Sequence, residues 1–73
     1  MQRRILITGA GGYIGSLLAR RLAERHFVVG VDICEDKTAP FPFHVMDVRD
    51  SALADLMREH RIEQVVHLAA VLE

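Results

Sequence analysis

Cysteine is nearly absent from the sequence. Cys34 stands alone, so no internal disulfide can staple the chain, and nothing calls for an oxidising compartment. A surplus of charge of one sign is absent too: the formal net charge is -1, which leaves no electrostatic footprint for nucleic acid and no pull toward a membrane surface. No apolar run approaches the roughly 20 residues of a membrane span. The apolar start Ile5-Leu6-Ile7 is interrupted by glycine from Gly9 onward, too early for a secretory leader. The cytoplasm is the expected compartment. His26, His44 and His60 show no metal-ligand spacing. What remains is the composition of an ordinary soluble domain, 73 residues with 51% hydrophobic and 26% charged side chains. A chain of this size holds a limited core.

Periodicity divides the chain cleanly. Residues 4–8 read as a buried strand ended by Gly9. A helix is expected from Gly12 to about Arg25, with Ile14, Leu17, Leu18 and Leu22 on its apolar face. Residues 27–31 form a second apolar run ending at Asp32, and residues 43–46 a third ending at Asp47. The link between them, residues 33–42, holds Pro40 and Pro42 and is too short for an ordinary crossover helix. Asp50 or Ser51 can cap a second helix reaching about His60, with Leu53, Leu56 and Met57 as its buried stripe. Residues 65–69 complete the series as a fourth strand. The alternation predicts an α/β fold with a parallel sheet of about four strands covered by helices.

The chemistry concentrates in Thr8-Gly9-Ala10-Gly11-Gly12-Tyr13-Ile14-Gly15, which leaves a strand and opens a helix. That is the setting of a dinucleotide fingerprint. Gly9 makes the turn, Gly12 leaves room for a pyrophosphate at the helix N-terminus, and Gly15 permits close packing. First-turn amides, including those of Tyr13 and Ile14, are the phosphate donors. No Lys-Ser or Lys-Thr follows, which excludes a P-loop. Asp32, with Ile33 beside it, falls at the end of the second strand about twenty residues on, where a carboxylate accepts ribose hydroxyls and repels a 2′-phosphate. NAD is thereby favoured over NADP. The plainer reading of Asp32 is a turn-forming aspartate.

These features, with Gly30-Val31-Asp32, Met46-Asp47-Val48-Arg49-Asp50 and Val66-His67-Leu68-Ala69-Ala70, resemble the extended short-chain dehydrogenase/reductase family, and within it the NAD-dependent epimerases and dehydratases. The resemblance implies half of a Rossmann fold with strand order 3-2-1-4. It implies that Asp47 accepts from the adenine amino group, that the backbone of Val48 meets the ring, and that Ala69 and Ala70 line the cofactor. Asp47 is otherwise a helix-capping residue and the alanines are otherwise packing residues. His67 reads as a structural hydrogen-bonding group rather than a catalyst.

The family's chemistry also needs a Ser or Thr, and a Tyr followed four positions later by Lys. The sole tyrosine is Tyr13 and the sole lysine Lys37, so no catalytic residue is expected here. Residues 1–71 are read as the mononucleotide-binding half of a Rossmann domain, an inactive fragment of an epimerase- or dehydratase-like parent that binds the adenosine-diphosphate part of NAD. Leu72-Glu73 read as an expression-tag junction. A non-catalytic dinucleotide sensor and a half-domain that keeps the fold without useful affinity are the alternatives. An uncovered fourth strand leads us to expect self-association, as a symmetric dimer.

Overall fold

The computed structural model describes residues 1–69. Ala70, Leu72 and Glu73, which carry one of the expected cofactor contacts and the expected tag junction, lie outside the described residues. The elements run β1 (Arg4–Thr8), α1 (Tyr13–Ala23), β2 (Phe27–Asp32), β3 (Phe43–Val45), α2 (Ala52–Glu59) and β4 (Gln64–His67). All neighbouring strands pair in parallel, in the order β3-β2-β1-β4. No helix among the described residues is long and apolar enough to cross a membrane.

The two central strands explain the architecture. Side chains alternate across a strand, so a strand apolar at every position must be covered on both faces. Ile5, Ile7 and Val28 point to one face and pack with Ala10 and Ala19 on the α1 side. Leu6, Val29 and Val31 point to the other and meet Leu56 of α2. The result is a three-layer helix–sheet–helix sandwich.

The apolar stripe of α1 differs from the one its large residues predict. Ile14 is 70% and Leu17 53% exposed, whereas Gly15 and Ala19 are buried and Leu22 and Ala23 pack against the core. The reason is steric. A Cβ on Gly15 would stand 2.0 Å from the carbonyl oxygen of Gly9. The helix therefore sits very close to the chain leaving β1, and only its small residues fit on that side. The larger Ile14 and Leu17 turn outward. The helix also stops at Ala23 rather than Arg25, where the Arg25 and His26 amides both turn back to the Leu22 carbonyl.

Residues 33–42 form no helix, as the two prolines predict. In place of a helix the link inserts one side chain, Phe41, which is only 8% exposed and joins the α1-side core. Gly30 makes this insertion fit, since a Cβ there would lie 2.7 Å from the Phe41 ring and 2.9 Å from the Ala10 methyl. Arg20 of α1 ties down the outer part of the link. It donates to Asp36 Oδ2 at 2.8 Å and to Thr38 Oγ1 at 2.9 Å.

Phe41 stands where a helix would bury several residues, so its removal opens the α1-side core. Phe41→Ala is expected to cost about 3–5 kcal/mol, whereas Leu17→Ala on the exposed flank shifts stability by about 0.5 kcal/mol or less. Urea denaturation of both variants measures the contrast.

Candidate functional site

The carboxyl ends of all four parallel strands open into one cleft of about 370 Å³. Its floor is Gly9 and Gly12, and one wall is Asp32 and Ile33 from the end of β2. Residues 46–49 after β3 form a second wall, and Leu68 and Ala69 after β4 close the opposite side. In an open parallel sheet this is the position where ligands bind, beside the point at which the strand order reverses.

Gly9 leaves β1 with a φ of +74° and sends its N–H to the Val31 carbonyl at 2.9 Å. A side chain there would be strained, and its Cβ would lie 2.9 Å from Ala69 N. Gly12 is different. A Cβ on it would meet only the Gly9 oxygen, at 3.4 Å, so its outer surface is free. The first helical bond runs from Ser16 N–H to the Gly12 carbonyl at 2.9 Å. The amides of Tyr13, Ile14 and Gly15 consequently have no acceptor within α1.

Asp32 is welded to this loop. Its Oδ2 accepts the Gly11 N–H at 2.9 Å and its Oδ1 accepts the Cys34 N–H at 3.1 Å. A carboxylate has about four lone-pair sites, so acceptor capacity remains on both oxygens. The role of Gly11 was not legible in the sequence. A Cβ there would sit 2.4 Å from the Cys34 carbonyl oxygen, a contact that exists only because the link folds back over the loop.

Asp47 is held by its neighbour. Oδ1 accepts the Arg49 backbone N–H at 2.9 Å and Nε–H at 3.2 Å, while Oδ2 accepts from Nη2 at 2.8 Å. These hydrogen bonds hold its pKa down at about 2. The capping of α2 falls to Asp50, whose Oδ1 accepts the Ala52 N–H at 2.9 Å; Ser51 makes no such bond. The Asp47 carboxylate is thus not spent on the helix.

Thr8 fixes the wall after β4. Its buried Oγ1 accepts the N–H groups of Leu68 at 3.0 Å and Ala69 at 3.2 Å. The same oxygen lies 2.7 Å from His67 Nδ1, within hydrogen-bond reach. The Leu68 N–H also donates to the Thr8 carbonyl at 3.1 Å, and β4 ends opposite Thr8, the last residue of β1. The contact with Thr8 gives His67 a positional task.

Of the residues singled out in the sequence, Gly9, Gly12, Asp32, Ile33, Asp47, Val48 and Ala69 meet around the cleft. Gly15 lies buried beneath it, and the side chains of Tyr13 and Ile14 are exposed on the flank of α1. Sequence reasoning missed Met46, Arg49 and Leu68 as lining residues. Arg49 follows Asp47 by two positions, a spacing at which an aspartate binds the backbone ahead of it; that was the available signal.

The model of the NAD dependent epimerase/dehydratase family matches residues 5–73. The chain belongs to this family. UDP-glucose 4-epimerase of Mycolicibacterium smegmatis is 40% identical to it over 78 residues, covering 92% of this chain and 25% of the relative. A partial-consensus L-threonine 3-dehydrogenase superposes with a TM-score of 0.85 at 42% identity, covering 94% of this chain and 24% of that one. UDP-glucuronic acid 4-epimerase of Bacillus cereus, solved in complex with NAD, superposes with a TM-score of 0.75 at 31% identity, covering 96% and 27%. The chain therefore spans about a quarter of the length of these proteins. The shared α/β sheet is the Rossmann-type half seen here.

Asp47 and Asp36 both titrate at about 2, below the ordinary 3.8, because Arg49 and Arg20 respectively donate to them. A lowered folded-state pKa adds stability above the unfolded value that is lost as pH falls through the folded one. Both contributions should thus be intact above about pH 4 and vanish between about pH 4 and pH 2. In Arg49→Ala the Asp47 carboxyl is expected to titrate higher, only part of the way back to 3.8 because the backbone N–H of residue 49 still donates to it, as read by the pH dependence of its NMR carboxyl shift.

Proposed function

We propose that this chain binds the adenosine-diphosphate part of NAD. The observation that carries the reading is the bond between Gly11 N–H and Asp32 Oδ2, which locks the phosphate loop and the ribose acid into one rim. The unpaired first-turn amides of α1 face a diphosphate across Gly12. The remaining lone pairs of Asp32 accept the ribose hydroxyls, and its charge disfavours a 2′-phosphate. Asp47 accepts from the adenine amino group. The Val48 amide, which donates to no other group among the described residues, meets the ring edge. Ala69, with Ala70 beyond it, leaves room for the cofactor beside the diphosphate.

The whole protein, in this reading, is an NAD-dependent epimerase or dehydratase acting on a nucleotide-sugar substrate, supported by the likeness to UDP-sugar 4-epimerases. The 73 residues carry the cofactor's adenosine end and no catalytic residue. NAD supplies hydride acceptance and return at its nicotinamide. A second reading of the substrate follows from the L-threonine 3-dehydrogenase likeness, at 42% identity as close as the epimerases. Both readings use the same adenosine site.

Calorimetry with NAD, ADP-ribose and NADP tests the binding reading. NAD and ADP-ribose are expected to bind with similar affinity and NADP about tenfold or more weakly, and Asp32→Ala should weaken NAD by about tenfold or more. A folded sample that gives no heat with any of the three would overturn the reading. The edge of β4 is open on one side, with Val65 and Leu68 exposed. We propose that the isolated 73-residue chain pairs through this edge as a symmetric dimer in the cytoplasm. Sedimentation velocity should show the dimer, and a monomer at all concentrations would refute it.

A further inference from the structure

A second cleft, of about 520 Å³, adjoins the first and shares Gly12 with it. It is bounded by Gly11, Ser16 and Arg20 on one side and by the link residues 35–38 on the other. Only Gly11 separates it from the ribose acid: Asp32 Oδ2 lies 3.1 Å from where a Gly11 Cβ would be. In the NAD reading, a substituent on a ribose hydroxyl held by Asp32 faces this side of the loop.

Arg20 and Lys37 are the cations lining the cleft, and the Arg20 guanidinium is paired with Asp36. It donates to Asp36 Oδ2, to Thr38 Oγ1 and to Ser16 Oγ. Asp36 is well covered, its side chain only 13% exposed, and its Oδ1 takes the Thr38 N–H at 3.0 Å and hydroxyl at 2.8 Å. Arg20, Asp36 and Thr38 thus form a closed ring, in which Nε–H and one Nη2–H of the guanidinium have no acceptor among the described residues. A guanidinium whose charge is balanced by a carboxylate attracts a phosphate less than an unpaired one at this position would.

We propose that Asp36 is a specificity-determining residue, one that excludes a 2′-phosphorylated dinucleotide by sequestering Arg20. Discrimination then has two parts: repulsion by Asp32 at the ribose, and neutralisation by Asp36 of the guanidinium that would otherwise attract the phosphate. This rests on the reading of the first cleft as an NAD site.

The test measures NAD and NADP affinities by calorimetry for the native chain, Asp36→Asn, Asp36→Ser and the double variant Asp36→Asn with Arg20→Gln. Releasing Arg20 should tighten NADP by about tenfold while leaving NAD within about twofold, and the gain should shrink with added salt. The double variant should lose the gain, which separates the guanidinium from a mere loss of negative charge. Retained NAD binding in either single variant certifies that the link is still in place; loss of NAD binding in both would mean that Asp36 serves the architecture alone, and the proposal falls. An unchanged NADP-to-NAD ratio, or a gain that persists without Arg20, also overturns it while the NAD reading stands. A native chain that binds no NAD overturns both.

Discussion

The seating of α1 on the chain that leaves β1 governs the rest of the molecule. Gly15 lies so near the Gly9 carbonyl that no side chain fits between them. This contact sets the helix height over the sheet. It buries Gly15 and Ala19, brings the unpaired amides of the first turn to the strand ends, and turns Ile14 and Leu17 outward. It also places Arg20 over the link after β2, where it meets Asp36 and Thr38. Each later feature of the site presupposes that one close approach.

A second theme is the repeated use of aspartate at the strand exits. Asp32, Asp36, Asp47 and Asp50 each accept the backbone N–H two residues ahead. The local bond shapes the turn, and the free lone pairs do something else: Asp32 takes the Gly11 amide, Asp36 and Asp47 take arginines, and Asp50 starts α2. Acidic side chains that would repel one another in an open loop are thereby spaced and oriented around a cleft. The cost of ordering these loops is offset by hydrogen bonds to charged acceptors, which are stronger than neutral ones.

The link between β2 and β3 shows how a parallel connection manages without a helix. Phe41 fills the layer, Gly30 yields the space, and the Arg20 cluster replaces the hydrogen bonds a helix would make internally. The chain thus trades a self-contained element for one that depends on α1. The start of the link also borders the first cleft, through Ile33 beside Asp32.

Much of this was legible in the residues themselves. The apolar runs fixed four strands, because a strand covered on both faces has to be apolar throughout. The glycine spacing and Asp32 located one rim of the cleft, because turn geometry and helix starts are set by near neighbours. Tertiary structure alone decided the rest. The face α1 buries follows from how closely it approaches the loop, not from where its largest side chains fall. The bond of Thr8 to His67, the packing of Phe41 against Gly30, and the tasks of Gly11 and Arg20 join residues far apart in the chain. Periodicity reports which residues share a face of one element; only packing decides which elements meet, and these contacts exist only once they do.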